Sequence, residues 1–463
     1  MRQPQPGALR EPGAILLIST YELGHQPLGL AWPKAFLERA GYAPAALDLA
    51  VEPLDADTVR RAGLVAISVP MHTALRLGAR AAEQVRRLNS TCRIVFYGLY
   101  ALLNAAYLRT RGADAVLGGE LEEALVALVR RLDAGDDPAT DPRATLERLP
   151  FPAPSRAGLP ALTRYVSLSR AGGLVPAGYV EASRGCLHTC LHCPIPAVYD
   201  GRFFTVPRDV VLADIRELIA AGAGHITFGD PDFLNGPRHA VRLVHALHDE
   251  FPNVSYDFTA KIEHVLEHRG LFREFALTGC AFLVSAVESL SDTVLARLEK
   301  GHTKADVVAA LDILRDAGIP LRPSFVPFTP WSTLDDYLEL LGFVEREGLI
   351  DHVDAVQYTI RLLVPPGSLI LSRPAIRPLL GALDPAAFTH RWLHPDPRMD
   401  ELQREASALV ERAAGSSEDA WTTFYRLRAL AEERVGLPRT SGGVASPPPE
   451  RPIPARLTEP WFC

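Results

Sequence analysis

Cysteine and methionine are scarce in this chain, which has six cysteines and three methionines among 463 residues. Three of the cysteines lie within eight residues, so the sequence offers no evenly paired set for a disulfide framework. The chain also lacks an apolar run of about 18 residues and a basic, then apolar, start, so neither a membrane span nor a secretory signal is predicted. We therefore expect a cytoplasmic, oxygen-sensitive protein that does not enter a membrane.

Basic residues are not in excess either. Lys and Arg number 48 against 55 Asp and Glu, which gives a formal net charge of −7. Proteins that bind nucleic acids carry a basic surface, so a nucleic-acid partner is disfavoured and a small-molecule substrate is favoured by default. Hydrophobic residues make up 48% of the chain, which allows large cores, and the length suits two or three domains.

The densest cluster of chemistry-bearing residues is the segment RGCLHTCLHCP. Its cysteines, Cys186, Cys190 and Cys193, are spaced C-x3-C-x2-C, and thiolates are ligands for zinc or for iron–sulfur clusters. Three thiolates bind three irons of a cubane and leave the fourth open, so an open-site 4Fe–4S cluster is the first hypothesis. Zinc completed by His188 or His192 is the alternative, because structural zinc needs a fourth ligand. The other cysteines, none paired in this way, are Cys92, Cys280 and Cys463.

Short apolar runs alternate with helical patterns over residues 13–135. Buried strands that alternate with helices indicate an α/β, doubly wound, Rossmann-like parallel sheet. The predicted strands are 14–19, 45–49, 64–69, 93–98 and 115–117, and the predicted helices are 30–40, 74–88 and 120–132. No GxGxxG motif follows the first strand, so a dinucleotide is not expected. Ligands of such sheets bind at the carboxyl ends of the strands, where the candidates are His25, Ser68, His72, Gly98, Gly118 and Gly119.

Residues 136–176 are rich in Pro, Asp, Arg and Gly and are interpreted as a linker. A second alternation follows over residues 177–383, with predicted strands at 178–183, 225–229, 254–259, 281–287, 320–326 and 353–360. Six strand–helix units of this size predict a partial (β/α)6 barrel of the TIM type, open on one side. Catalytic groups of such a barrel lie at the C-terminal ends of its strands. The polar residues expected there, beside the cysteine loop, include Asp230, Asp232, Lys261, Glu263, His264, Glu288 and Arg361.

The cysteine loop resembles the signature of the radical S-adenosylmethionine (SAM) superfamily. In that family the open iron chelates the amino and carboxylate groups of SAM, and one electron cleaves the sulfonium to give a 5′-deoxyadenosyl radical. The resemblance implies that Cys186, Cys190 and Cys193 hold the cluster and that His192, just before the third cysteine, meets the adenine. It also implies an electron donor of the flavodoxin or ferredoxin type.

Further roles follow from the same resemblance. Gly229 and Asp230 stand where the family has a Gly-Gly-Glu-like motif, so Asp230 is the expected acceptor of the ligand's ammonium group. Glu288 matches the fourth-strand Glu-Ser of many cobalamin-type members and is expected to hydrogen-bond the ribose or the carboxylate. Lys261 is expected to pair with the carboxylate of the ligand. The residues expected on the substrate side are Asp232, Glu263, His264 and Trp331.

With this signature downstream, the first domain looks like the cobalamin-binding domain that precedes many radical SAM enzymes. Cobalt-ligating domains carry Asp-x-His-x-x-Gly, whereas the nearest match here is Glu22-Leu23-Gly24-His25. The resemblance implies cobalamin binding at the strand ends, although many radical enzymes of this subclass lack the histidine ligand. The alternative is that His25 and His72 are ordinary polar residues and that the domain binds nothing.

The C-terminal part is predicted to form a helical cap over the barrel mouth at 384–440 and a Pro/Gly/Ser-rich tail at 441–463. The chain resembles a group of cobalamin-type radical SAM proteins that end in Cys-Sec-Ala-Glu-Pro or Cys-Cys-Ala-Glu-Pro, the CUAEP/CCAEP-tail group. The resemblance rests on segments 19–29, 70–73, 226–235, 325–333 and 459–463. It implies a UGA selenocysteine codon directly after Cys463. Cys463 would then be the thiol of a catalytic thiol–selenol pair. A frayed terminus is the alternative.

The leading hypothesis is a cobalamin-dependent radical SAM enzyme that methylates a carbon of a small molecule. A second hypothesis keeps the radical and omits cobalamin, which would give a rearrangement or a carbon–heteroatom bond. The third is a regulatory module that binds cobalamin or a metal and catalyses nothing.

Overall fold

The computed structural model describes residues 7–136, 143–437, 447 and 451–459 of the chain. Its first six strands are β1 (Ile15–Ser19), β2 (Ala45–Asp48), β3 (Leu64–Ser68), β4 (Arg93–Tyr97), β5 (Ala115–Gly119) and β6 (Arg143–Thr145). They form one parallel sheet in the order β2-β1-β3-β4-β5-β6. The order reverses next to β1, which places the expected ligand edge at the ends of β1 and β3.

Helices cover both faces of this sheet. They are α1 (Leu28–Arg39), α2 (Ala56–Arg61), α3 (His72–Leu88), α4 (Leu99–Leu103), α5 (Ala105–Thr110) and α6 (Glu122–Asp133). Alternate residues of β1 and β3 pack against α1 and α6 on one face and against α3 and α5 on the other. Strands buried on both faces have to be apolar throughout, which is why they appear in the sequence as continuous hydrophobic runs.

A second sheet forms the curled, barrel-like part of the molecule. The remaining strands are β7 (Ser167–Arg170), β8 (Gly173–Val180), β9 (Ser183–Gly185), β10 (Phe203–Thr205), β11 (His225–Phe228), β12 (Ser255–Thr259), β13 (Cys280–Glu288), β14 (Leu321–Phe325), β15 (Leu380–Asp384), β16 (Thr389–Trp392) and β17 (Arg456–Leu457). The sheet order is β14-β13-β12-β11-β8-β7-β17. The five strands from β14 to β8 are parallel, and β7 and β17 extend the sheet with antiparallel pairs.

Helices alternate with these strands and lie outside the curl. They are α7 (Ile195–Tyr199), α8 (Arg208–Ala220), α9 (Pro237–Glu250), α10 (Ile262–Glu267), α11 (Phe272–Leu277), α12 (Asp292–Arg297), α13 (Lys304–Ala317), α14 (Leu334–Arg346), α15 (Pro397–Ser416) and α16 (Ala420–Arg434). Short 3-10 turns occupy Ala8–Arg10, Leu162–Arg164, Phe233–Asn235, Arg269–Leu271, Ile350–His352, Ala355–Tyr358, Leu369–Ser372 and Arg377–Leu379. The expected fold class, a Rossmann-like domain followed by a partial barrel and a helical C-terminal region, is confirmed. No helix among the described residues is long and apolar enough to cross a bilayer.

One expectation about the barrel requires correction. The segment predicted as the sixth strand, 353–360, contains the 3-10 turn Ala355–Tyr358 and makes no ladder with β14. The free edge of β14 is satisfied by a side chain, because Phe325 N donates to Gln357 Oε1 at 3.1 Å. Among the described residues, the parallel pairing at this position consists of a single bridge between Phe328 and Arg361.

The segment predicted as a linker contributes to both sheets. Its residues 143–145 form β6 at the edge of the first sheet, and 167–170 form β7 beside β8. The predicted cap region also begins with a hairpin, β15–β16, before its two long helices. The tail returns to the barrel, where Arg456 and Leu457 pair with Ser169 and Leu168.

Candidate functional site

The three clustered cysteines lie in the loop that follows β8 and β9. Gly185, immediately before Cys186, has a φ of +75°, and a Cβ there would lie 2.3 Å from Arg202 O, so glycine is required. The antiparallel β9–β10 pair and the bond from Cys186 N to Arg202 O hold the start of the loop. Its end is closed by the turn from Cys193 N to Cys190 O at 3.2 Å. None of the described cysteines forms a disulfide.

The loop suits a cluster electrostatically. Burial raises the pKa of Cys186, and burial raises the pKa of Cys193 to about 12, with the neighbouring thiols adding to both shifts. Three thiolates therefore cannot collect here unless a cationic centre offsets their charge, as iron does. The donor set thus fits a three-thiolate cluster. The side-chain amide of Asn235 lies beside it and accepts from Leu187 N at 3.3 Å, and its Nδ2 is buried without a partner among the described residues.

Glu288, at the end of β13, binds two side chains near the loop. Its Oε1 lies 3.0 Å from His192 Nε2 and accepts from Lys300 Nζ, also at 3.0 Å. Lys300 and the hydrogen bond with His192 hold the pKa of Glu288 well below its usual range, although burial acts in the opposite direction. Glu288 has a φ of +65° at a break in the β13–β14 register, so the bulge aims its side chain at the loop.

The structure thus brings together His192 and Glu288, which were predicted separately, and adds Lys300, to which the sequence assigned no role. His192 Nδ1 is buried and has no partner among the described residues. An orphaned ring nitrogen beside the thiol loop, together with the planar ring, fits the expected contact with an adenine. Both described bonds to Glu288 use Oε1, which leaves Oε2 for a ligand hydroxyl.

Asp230 is more buried than expected. Its Oδ2 accepts from Ala182 N at 2.9 Å, and its Oδ1 accepts from Ser183 Oγ at 2.5 Å. Burial raises its pKa to about 7 despite these bonds. Asp230 therefore joins the end of β11 to the segment that enters the cysteine loop, while its role as acceptor of a ligand ammonium stays a prediction. A Cβ on Gly229 would lie 2.2 Å from the ring of Tyr179, so that ring crosses directly over this glycine.

Four of the predicted residues gather on the other side of the loop. Asp232 Oδ2 lies 2.8 Å from His264 Nδ1, and Lys261 Nζ donates to Glu263 Oε2 at 2.9 Å. His188, from the cysteine loop itself, joins them: its Nε2 lies 3.2 Å from His264 Nε2. The sequence placed these residues at neighbouring strand ends, but it did not predict that His188 would meet His264.

A cavity of about 180 Å³ occupies the inside of the curled sheet. Its polar wall includes Asp257, which accepts from Thr227 Oγ1 and lies 2.8 Å from His225 Nε2. Arg322 donates through Nη2 to Asp354 at 2.9 Å, whereas its Nη1 is buried without a partner among the described residues. A free guanidinium nitrogen inside a cavity is suited to an anionic or carbonyl group of a ligand.

The first domain and the tail complete this cavity. His25 stacks on Tyr179, with ring centroids 4.5 Å apart, and its Nδ1 is buried without a partner in the described chain. Burial lowers the pKa of His25 to about 3, so the ring is neutral. Glu459 of the tail accepts from Tyr21 OH at 3.3 Å, and burial raises its pKa to about 8. Trp331 lies away from these groups, in the apolar cluster around Leu362 and Trp392.

The other predicted contacts of the first domain lie along the same sheet edge. His72 Nε2 lies 2.7 Å from Ala387 O, so this histidine holds the β15–β16 hairpin. Ser68 packs against Gly29, where a Cβ would approach its Oγ to 2.4 Å. The predicted glycines are packed against the chain itself: Gly98 on Val69, Gly118 on Leu102 and Gly119 on Thr145.

Charged contacts join this edge to the cysteine loop. Arg184, two residues before Cys186, donates to Glu122 at 2.7 Å and lies 3.8 Å from Glu120. Tyr199 OH donates to Glu120 at 3.1 Å. The first domain therefore rests directly on the segment that carries the thiols. Cys463, predicted as a catalytic thiol, lies outside the described residues.

Comparison with known proteins relates part of the chain to a family model. Residues 180–344 match the radical SAM superfamily, which implies a 4Fe–4S cluster and SAM. The ribosomal protein uS12 methylthiotransferase RimO of Porphyromonas gingivalis is 28% identical over 194 residues. That match covers 39% of this chain and 43% of the relative, so the chain spans less than half the length of the curated protein it matches.

Two solved structures share the fold over most of the chain. The cobalamin-dependent SAM radical enzyme OxsB, with aqua-cobalamin and SAM bound, has a TM-score of 0.67 at 16% identity, covering 87% of this chain and 67% of that chain. The radical SAM methyltransferase TsrM from Kitasatospora setae, with cobalamin and a 4Fe–4S cluster bound, has a TM-score of 0.64 at 14% identity, covering 91% and 99%. At these identities the likeness is one of fold.

Proposed function

We propose that this chain, whose residues 180–344 form a radical SAM domain, is a cobalamin-dependent enzyme that transfers a methyl group to a carbon of a small molecule. The observation that carries the proposal is the docking of a Rossmann-like sheet edge on the three-thiol loop, through Arg184, Glu122 and the Tyr199–Glu120 bond. The shared two-domain fold of OxsB and TsrM supports it. When bound, the cluster and SAM supply a carbon-centred radical, and cobalamin supplies the methyl group.

The protein's own groups would bind, orient and exclude water. Cys186, Cys190 and Cys193 hold the cluster, and the buried pair of Glu288 and Lys300 sets a fixed charge pattern beside it. The reductant would be a flavodoxin- or ferredoxin-type protein. Lys261, now paired with Glu263, and Asp230, now bonded to Ser183, are the proposed contacts for the carboxylate and ammonium groups of SAM.

The cavity inside the curled sheet is the proposed place for the substrate. Its volume of about 180 Å³ suits a small molecule, and Arg322 Nη1 offers a free donor for an oxygen of that molecule. Tyr179 and Thr227 line it toward the first domain and the sheet. Closure by Leu457 and Glu459 of the tail would keep water away from a reactive radical.

The first domain offers a partial fit to cobalamin. His25 Nδ1, which is buried without a partner among the described residues, is the candidate contact for such a group at the ligand edge. The space at the glycines is taken by the chain, however, since Leu102 already fills the position that a Cβ on Gly118 would occupy. A macrocycle would therefore have to enter between the first domain and the barrel, where the Tyr199–Glu120 bond would have to open.

The close packing at this sheet edge favours a second candidate function, a radical reaction without cobalamin. If the edge stays closed, the same cluster and cavity would serve a cobalamin-independent radical reaction, such as a rearrangement. The non-enzymatic alternative, a cobalamin- or metal-binding regulatory module, predicts no turnover of SAM at all.

An anaerobic binding experiment separates these functions. The cluster is reconstituted, the protein is incubated with hydroxocobalamin and desalted, and the visible spectrum is recorded. A retained cobalt chromophore near one equivalent supports the proposal, and a perturbed spectrum in His25→Ala but not in His72→Ala identifies the cobalt-side residue. Retention of the cluster alone, with SAM still cleaved to 5′-deoxyadenosine under reduction, transfers the assignment to the cobalamin-independent reaction. If SAM is cleaved neither with nor without bound cobalamin, only the regulatory module remains as a function.

A further inference from the structure

Three side chains from three separate elements meet beside the three thiols and are not among the predicted ligands of the cluster. They are His188 of the loop, Asp232 after β11 and His264 of α10. One potential ligand atom from each lies within 4.8 Å of the others. Their side chains are 18%, 1% and 10% exposed, respectively, so this is not a solvated surface cluster.

Two of the three separations within the trio can be compared with those of ligands around one ion. Ligand atoms at about 2.1 Å from a metal are about 3.0 Å apart at a right angle and about 4.2 Å apart when opposite. His188 Nε2 and His264 Nε2 are 3.2 Å apart, and His188 Nε2 and Asp232 Oδ2 are 3.7 Å apart. Both separations fall between these limits. At 3.2 Å the two ring nitrogens share one proton in a hydrogen bond, and a cation bound by both would take the place of that proton.

The surroundings supply the outer contacts that metal-bound side chains need. Asp232 Oδ1 accepts from Leu234 N at 3.0 Å, which fixes the carboxylate. His188 Nδ1, the nitrogen on the far side of the ring, lies 3.7 Å from Glu263 Oε2, so a small movement of this carboxylate would give the outer hydrogen bond that metal-bound histidines make. His264 Nδ1 lies 2.8 Å from Asp232 Oδ2, so this carboxylate oxygen faces both imidazole rings.

The nearby lysine does not exclude a cation. Lys261 Nζ donates to Glu263 Oε2 at 2.9 Å, so its charge is offset by a carboxylate outside the trio. Two imidazoles and one carboxylate are ligands for zinc, iron or manganese, and such a set leaves positions open for water or for a substrate oxygen.

We propose that His188, Asp232 and His264 bind one divalent transition-metal ion, of the zinc or ferrous class, that is separate from the iron–sulfur cluster. The ion is held by one nitrogen of each imidazole and by Asp232 Oδ2. Its open positions face the side of the thiol loop on which Glu263 and Lys261 lie, so it would bind an oxygen or nitrogen of a small molecule there. The proposal does not depend on cobalamin binding.

The test measures metal content in the intact, reconstituted protein. The full chain with its cluster is equilibrated with zinc, desalted and analysed for zinc and iron by mass spectrometry. We expect one zinc per chain in addition to the cluster iron. His264→Gln should weaken zinc binding by about 100-fold and Glu263→Gln by about tenfold, without changing the cluster iron or its visible absorption. His268→Gln is the matched control, because its ring packs near His264, at 5.7 Å, but lies outside the trio.

The zinc absorption edge distinguishes this site from zinc at the cysteines. Scattering at about 2.0–2.1 Å from nitrogen and oxygen supports the proposal, whereas a shell at about 2.3 Å from sulfur overturns it. Absence of bound zinc in the wild-type protein, or full retention in His264→Gln, overturns it equally.

Discussion

His192 and Glu288 form a 3.0 Å contact between the cysteine loop and the end of β13. They are distant in sequence, and the same oxygen of Glu288 also binds Lys300. The buried carboxylate is shared by Lys300 and His192 and fixes the loop relative to the barrel, because removal of Lys300 or Glu288 leaves the other charge buried without its partner. The thiols thus lie beside a preformed hydrogen-bonded triad.

Glu288→Gln tests that triad. The substitution leaves Lys300, whose side chain is 5% exposed, without its carboxylate, and we expect a loss of about 3 kcal/mol in the free energy of unfolding. Denaturant unfolding of the reconstituted protein measures it, with the exposed Glu217→Gln as control. The double variant Glu288→Gln/Lys300→Met should recover part of the loss. A single-variant effect as small as that of the control would show that the pair is not buried in solution.

Cys190→Ala separates a catalytic cluster from a structural one. Removing one of three thiolates should abolish cluster incorporation and SAM cleavage, while circular dichroism and the melting temperature stay close to those of the wild type, because the loop is also held by Asp230 and by the β9–β10 pair. Cys92→Ala, at a free cysteine of the first domain, should keep the cluster. Global unfolding of Cys190→Ala would instead identify the thiols as a structural metal site.

Gly229→Ala tests the packing between β11 and Tyr179. The added methyl group would overlap the tyrosine ring, which is already stacked on His25, so we expect a destabilisation of about 1–3 kcal/mol. Thermal unfolding measures the effect, and Gly172→Ala, which has open space around it, is the control. Combining Gly229→Ala with Tyr179→Leu should be less than additive, since the smaller side chain removes the clash. Strict additivity would contradict the contact.

Glu22 makes stability depend on pH. Burial, reinforced by Glu181, raises the pKa of Glu22 from 4.5 to about 8 in the folded protein. Between these values the folded state binds one proton more than the unfolded chain, so the free energy of unfolding should fall as pH rises from about 5 to about 8. Glu22→Gln mimics the protonated carboxyl and keeps an acceptor for Leu28 N. It should flatten this part of the profile.

Unfolding midpoints at several pH values check the Glu22 prediction. The exposed Glu11→Gln should leave the wild-type slope intact. A Glu22→Gln profile as steep as that of the wild type would assign the slope to other buried carboxyls, such as Asp230 and Glu120, whose pKa values burial raises to about 7.

The local sequence determined two features of this protein, the apolar strands of the first sheet and the clustering of the three thiols. Strands buried on both faces must be continuously apolar, so β1 and β3 are evident in the sequence, and with them the class of the first domain. The three thiols lie in one short loop, so their convergence follows from chain connectivity alone. Glu288 and His192 could be predicted as site residues, because Glu288 lies at a strand end and His192 lies in that loop.

Tertiary structure decided the contacts between strand ends and the edges of the sheets. Segment 353–360 is apolar enough to be a strand, but Gln357 reaches Phe325 N through its side chain, and the backbone can therefore turn. Asp230 lies where a ligand-binding residue was expected, yet it bonds to Ser183, because β8 and β11 are paired neighbours whose register places the ends of the two strands side by side. The meeting of His188 with His264 likewise depends on how far each loop extends above the curled sheet, and no local pattern encodes that distance.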